Sequence, residues 1–243
     1  PVSICMTTCL PFSIAAIETA VNAPVTITLQ AHDVEGDPVR FDAYVPQTSP
    51  GLEVSIDAET GKLTVTPVSA QPGVYAILVG VQSAAGSDWD VQAVPVYLHP
   101  LAPTSIELLT HASGNDRLTY LNNTPGNELG FRVFGVRPGA LVSLYADGQL
   151  IGQATATSSS VTLATNGTVP LADGIHQITA IQTLEDEPIN VGNLKGTVDL
   201  VSKASPSLAI TVDSGMPTFT STPVTVAAEG SQYTYDVQTA EEA

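Results

Sequence analysis

Apolar and polar residues alternate along most of the chain, and helical spacing is almost nowhere to be found. In "APVTITLQA" (23–31) Val25, Ile27 and Leu29 fall on one face of an extended segment, and in "GKLTVTP" (61–67) Leu63 and Val65 do the same. "GVYAILVGVQ" (73–82) and "VQAVPVYLHP" (91–100) read as further strands. Turn chemistry separates these runs: "DAETGK" (57–62) is a hairpin turn in which Gly61 supplies the positive φ. Short strands punctuated by Gly, Pro and Asp at spacings of about 8 to 12 residues predict a β-sandwich of about 100 residues.

The Pro-rich segment "HPLAPTS" (99–105) ends that unit, and a second set of strands follows. "ELGFRVFGV" (128–136), "ALVSLYADGQLIGQATAT" (140–157), "SSSVTLATNG" (158–167) and "GIHQITAIQTLED" (174–186) keep the same period. Asp147-Gly148 between "LVSLYA" and "QLIGQATA" is a strong local hairpin signal. "SPSLAITVDS" (205–214) supplies the last strand. An internal repeat then appears. Placing "VTITLQAHD" (25–33) over "YTYDVQTAE" (233–241) matches Val25 with Tyr233, Ile27 with Tyr235, Leu29 with Val237 and Gln30 with Gln238. The fold class expected is therefore all-β, in tandem sandwiches: residues 1–100, residues 101–213, and over 214–243 the opening strands of a truncated third unit of the first kind. The tail carries Phe219, Tyr233 and Tyr235 with no core of its own to enter, so it is expected to pair with a sheet edge.

Charge narrows the partners. Lys and Arg number 7 against 24 Asp and Glu, for a net charge of −17, which repels nucleic-acid phosphate and anionic lipid. Only 13% of residues are charged, and the abundance of Val, Thr, Leu and Ile argues for folded β structure rather than disorder. No apolar run is long enough to span a membrane as a helix. A first residue of Pro1 and an end in "TAEEA" read as a piece of something longer. Cys5 and Cys9, spaced C-x3-C, are two free thiols or a local disulfide if the backbone turns back between them; a bridge fits an oxidising, extracellular setting.

Residues 17–98 resemble the cadherin-like domains of bacterial surface proteins, the dystroglycan-type branch in particular, through "LQAHDVEGDPVRFDA", "GLEVSIDAETGKLTVTP", "QPGVYAILVGVQSAAGS" and "VPVYL". Residues 130–213 resemble bacterial immunoglobulin-like repeats through "GVRPGALVSLYADGQLIGQATA", "LADGIHQITAIQT" and "SLAITVDSGMP". The resemblance implies modules, cadherin-like and immunoglobulin-like, that space or present neighbouring domains of the same chain in a secreted or surface protein. It also implies a calcium role for Asp33, Glu35 and Asp37, because cadherin-like domains place an acidic element where this run falls. The chain departs from that pattern twice: "TPVSAQPG" stands where a second acidic element is expected, and "HPLAPTS" where an acidic linker is. A solvated Asp/Gly turn is the competing reading.

Trp89, flanked by Asp88 and Asp90, is the second candidate: an exposed indole stacks on a sugar ring while carboxylates accept its hydroxyls, whereas a lone Trp in a sandwich more often fills core or edge space. Catalysis finds little support. His32, His99, His111 and His176 are scattered, and neither a nucleophile elbow nor a phosphate-binding loop is present. Asn122-Asn123-Thr124 and Asn166-Gly167-Thr168 fit the glycosylation sequon but are explained as Asn-rich turns. The reading is a non-enzymatic extracellular structural or adhesion module, with a carbohydrate- or protein-binding accessory module of a larger secreted enzyme or adhesin as the alternative.

Overall fold

The computed structural model describes residues 2–6, 15–33, 36–83, 89–215, 218–222, 229–230, 232 and 234–240. Every regular element among them is a strand. Eight strands occupy the first part: β1 (Val2–Met6), β2 (Ile17–Ala20), β3 (Val25–Asp33), β4 (Val39–Tyr44), β5 (Leu52–Ile56), β6 (Lys62–Pro67), β7 (Gly73–Ser83) and β8 (Trp89–His99). They form two four-stranded sheets, ordered β1-β3-β6-β5 and β2-β8-β7-β4. The opening edge is divided between the sheets, β1 pairing antiparallel with β3 and β2 parallel with β8, which is the strand order of an immunoglobulin-like sandwich.

Alternation produces the core. Leu29, Leu63, Val65 and Leu52 from one sheet meet Phe41, Ile77, Val79, Val81, Val94, Val96 and Leu98 from the other in a single buried cluster. Register follows the turn at 57–61, where Asp57 Oδ1 accepts the N–H groups of Glu59 and Thr60 at 3.0 and 2.8 Å. Those two bonds hold the Asp57 carboxyl below its ordinary pKa. Gly61 has φ +68° and packs so closely that a Cβ there would lie 2.7 Å from the Leu29 carbonyl oxygen, so the position admits only glycine.

The second part contains β9 (Ser105–Leu108), β10 (Leu118–Thr119), β11 (Gly130–Phe134), β12 (Leu141–Ala146), β13 (Gln149–Thr155), β14 (Ser160–Ala164), β15 (Gly174–Val191), β16 (Leu194–Val201) and β17 (Leu208–Val212). Sheets β14-β11-β9 and β10-β17-β15-β12-β13 enclose a separate core around Phe131, Leu144, Ile151 and Ile178. Asp147 and Gly148, both at positive φ, turn β12 into β13 as the Asp-Gly pair predicts.

One element was not foreseen. β15 runs for 18 residues, well beyond its sandwich, and its second half pairs with β16, a strand that no alternation announced. The register of the two slips between Leu184 and Glu187, with Asp186 at φ +55°. This bulge bends the hairpin so that β15 and β16 lie against β7 and β8 of the first sandwich.

In the tail, β18 (Thr218–Phe219) pairs antiparallel with β19 (Thr239–Ala240). The sequence predicts pairing with a sheet edge; among the described residues the tail pairs instead with itself. The Tyr235 and Ser221 hydroxyls, 2.6 Å apart, and the Gln238 N–H bond to Ser221 Oγ close this small hairpin. Tyr233 lies outside the described residues.

Candidate functional site

Asp33 ends β3 on the face it shares with Leu29, and both side chains are buried. The Gly36 N–H bonds to the Asp33 carbonyl at 3.1 Å, which turns the chain at this point. Asp37 beyond the turn is partly exposed, and Glu35 lies outside the described residues. Among the described residues no three His, Cys, Asp or Glu side chains converge on a point that could hold a metal ion. Cys5 sits on β1 opposite Gln30; Cys9 lies outside the described residues.

Trp89 opens β8 and is 43% exposed. Strand alternation puts Trp89, Val91, Ala93 and Tyr97 on the outer face of the β2-β8-β7-β4 sheet and Asp90 on the opposite face; Asp88 lies outside the described residues. The carboxylate that shares the indole's face is instead Asp42 of β4, opposite Gly80 of β7. The six-membered ring of Trp89 leans over Gly80, where a Cβ would come within 2.9 Å of Cε3. Asp42, Tyr44, Leu78, Gly80, Trp89 and Val91 together line a depression of about 210 Å³. Tyr44 and Gly80 were not visible as site residues from sequence, because they meet Trp89 only through the β4-β7-β8 register.

The other half of that sheet face is covered. Tyr97 packs against Ala140, Leu184 and Leu200 of the second sandwich, with Val198 beside them. At the hairpin tip, a Cβ on Gly192 would lie 3.4 Å from Ala93 Cβ. Gln182, buried in β15, donates to the carbonyls of Leu101 and Gly135 at 2.8 and 3.2 Å and accepts the Arg137 N–H at 2.8 Å. Arg137 reaches back to Gln71 Oε1 at 2.7 Å. The second sandwich is thus tied to the connecting segment by the Gln182 bond to Leu101, and to the first sandwich by apolar packing around Tyr97 and by the Arg137–Gln71 bond. Beside it opens a cleft of about 410 Å³ lined by Glu18, His99, Ser202 and Lys203 among others. His99 Nε2 lies 3.7 Å from Glu18, and its Nδ1 is buried with no hydrogen-bond partner among the described residues.

At the far end of the second sandwich, Asp147 and His176 form a pair 2.6 Å apart. Both sequons are closed turns: the Thr124 and Thr168 hydroxyls donate to Asn122 and Asn166 Oδ1 at 2.7 and 2.8 Å.

No family model matches the chain, and no curated protein matches it in sequence. Among solved structures it is similar to the D00-D0 domain of intimin, at 10% identity over 84% of this chain and 98% of that one with a TM-score of 0.34. It is likewise similar to the fibronectin(III)-like modules of CbhA from Clostridium thermocellum, at 14% identity over 87% and 94% with a TM-score of 0.36. Human protocadherin-24 EC1-2 is a third, at 13% identity over 82% and 92% with a TM-score of 0.30. At these values the likenesses carry no argument, and the fold assignment rests on the strand order described above.

Proposed function

We propose that the chain is a non-enzymatic extracellular module that spaces or presents neighbouring domains of a larger surface or secreted protein. Its division is read as a cadherin-like sandwich of dystroglycan type over residues 1–100, an immunoglobulin-like sandwich over 101–213, and the start of a further cadherin-like unit over 214–243. The observation that carries the reading is the junction. A spacer transmits position only if its modules do not swing, and most pairs of domains on one chain move freely unless the contact between them is extensive and apolar. Here the bulged β15–β16 hairpin lies on the outer face of the first sandwich, and the Tyr97 cluster seals its base.

The third unit has its own support. Asn22 at φ +60° and Gly230 at φ +80° occupy equivalent turns under the repeat that aligns 25–33 with 233–241. The β18–β19 pairing corresponds to that of β1 with β3.

Shortening the hairpin tests the spacer reading. Replacing residues 186–198 with an Asn-Gly turn keeps the part of β15 that pairs with β12 and β17, so the second core stays intact. Small-angle scattering should then show a broader distribution of distances between the two sandwiches. An unchanged distribution means that the hairpin does not set the angle, and the spacer reading loses its basis.

A further inference from the structure

The outer face of the β2-β8-β7-β4 sheet is divided at Ala93. Beyond it, towards Tyr97, the second sandwich covers the sheet; before it, Leu78, Tyr44, Val91 and Trp89 face solvent. Tyr44 is 58% and Val91 54% exposed. The registers explain how they meet. Tyr44 lies opposite Leu78 and Asp42 opposite Gly80 across β4–β7, while Gly80 lies opposite Val91 and Gln82 opposite Trp89 across β7–β8. The one position in that grid with no side chain is Gly80, and the Trp89 ring leans into the gap. A larger residue there would push the indole up and close the depression.

We propose that this shelf is a binding site for an uncharged glycan chain, with Trp89 and Tyr44 as stacking surfaces and the Asp42 carboxylate as acceptor for sugar hydroxyls. Two observations select this occupant. The exposed parts of Trp89, Tyr44 and Val91 amount to roughly 350 Å² given the usual size of these side chains, which falls well short of the roughly 800 Å² that a stable protein partner covers on each side. A second copy of the chain is disfavoured on the same ground. The acidic balance, 24 Asp and Glu against 7 Lys and Arg with Asp42 on the shelf itself, repels acidic polysaccharides and polyphosphates. A sugar ring fits both constraints, since it offers an apolar C–H face to the indole and hydroxyl donors to the carboxylate.

Electrophoresis of the full chain through gels containing xylan, mixed-linkage β-glucan, galactomannan or dextran reads the proposal out, with alginate and polygalacturonate as acidic counterparts. At least one neutral polysaccharide should retard the chain, and neither acidic one should. Trp89→Ala should weaken the retardation about tenfold, the scale of one aromatic contact. Tyr44→Ala should weaken it several-fold, each variant keeping the parent melting temperature. Gly80→Leu, which fills the depression, gives an independent route to the same loss. Absence of retardation by every neutral polysaccharide overturns the proposal, as does retardation that survives both Trp89→Ala and Tyr44→Ala. Concentration-dependent dimerisation in sedimentation that Trp89→Ala abolishes would assign the shelf to a second copy instead. Because none of these readouts depends on the angle between the sandwiches, they stand or fall apart from the spacer reading.

Discussion

The side-chain amide of Gln182 donates to the carbonyl of Leu101 across 2.8 Å, joining β15 to the segment that connects the two sandwiches. Both amide hydrogens are used, since Gly135 O is the second acceptor, and Oε1 accepts the Arg137 N–H. Gln182→Leu keeps roughly the same volume and deprives those backbone groups of their partner. An unpaired group shut off from water costs about 1–3 kcal/mol, so the unfolding free energy obtained from urea denaturation should fall by about that much, with a lower midpoint and an unchanged slope. Heat should also loosen the connecting segment first, visible as faster amide exchange near Leu101 than in the β11 core.

A second polar knot lies at Asn123, which is buried at φ +54°. Its Nδ2 donates to Val169 O at 2.8 Å, and its Oδ1 accepts the Gly167 N–H at 2.9 Å. Asn123→Ala removes both bonds and imposes strain, because Asn tolerates the left-handed region better than Ala does. A loss of about 2–5 kcal/mol is expected. Asn123→Gly relieves the strain without restoring the bonds, so its midpoint in the same titration should fall between parent and Ala.

How much of this was legible depended on the range of each signal. Leu63 and Val65, or Asp147-Gly148, declare strand and turn within a few residues, and the strands they predict are present. β2 is four residues long and pairs in parallel with β8 across most of the first unit, so nothing local marks it. β16 was missed because most of its residues face water and only Val198 and Leu200 are drawn into the junction; its pattern makes sense only once the other sandwich is in place. The aromatic shelf shows the same limit. Trp89 was visible, yet its flanking carboxylate was expected from the neighbouring residue, where strand alternation turns Asp90 to the other face. Its actual neighbours come from β4 and β7.

Burial of Asp33 on the core side of β3, and the turn that follows it, separate it from Asp37 in their surroundings. We expect these two carboxylates not to share a calcium ion in this chain. A site with the 10⁻⁴ to 10⁻³ M affinity of extracellular modules would add about 1 to 2 kcal/mol of stability at about 5 mM calcium, which moves a melting temperature by several degrees in a domain of this size. The expected shift is under about 1 °C. A larger shift that Asp37→Asn removes would establish the calcium role instead.

The pair at the end of the second sandwich makes stability depend on pH. Asp147 Oδ1 accepts the Gln177 N–H at 2.8 Å, and Oδ2 lies 2.6 Å from His176 Nδ1, whose other ring nitrogen lies 2.7 Å from the Ala172 carbonyl. With an acceptor facing each nitrogen, the imidazole is best satisfied when doubly protonated. Burial alone pulls His176 down, but the bonds to Ala172 and Asp147, together with the carboxylate charge, outweigh it and raise the pKa above its ordinary value. Asp147 is lowered, first by the Gln177 N–H and then by His176. A raised His176 contributes stability that is complete below the unfolded histidine value, about 6.5, and is lost as pH rises through the folded pKa. A lowered Asp147 contributes stability that is complete above the unfolded aspartate value, about 3.9, and is lost as pH falls through its folded pKa. Both contributions are therefore present together between about pH 4 and 6.5. The melting-temperature gap between the parent and His176→Gln should be widest near pH 5.5 and should narrow at pH 8.5 and above. Asp147→Asn retains an acceptor for Gln177 and tolerates the positive φ of 48°, so it should flatten the pH profile while keeping the β12–β13 turn. A gap between parent and His176→Gln that stays constant from pH 5 to 9 would mean that the imidazole is held neutral and acts only as a spacer between Asp147 and Ala172.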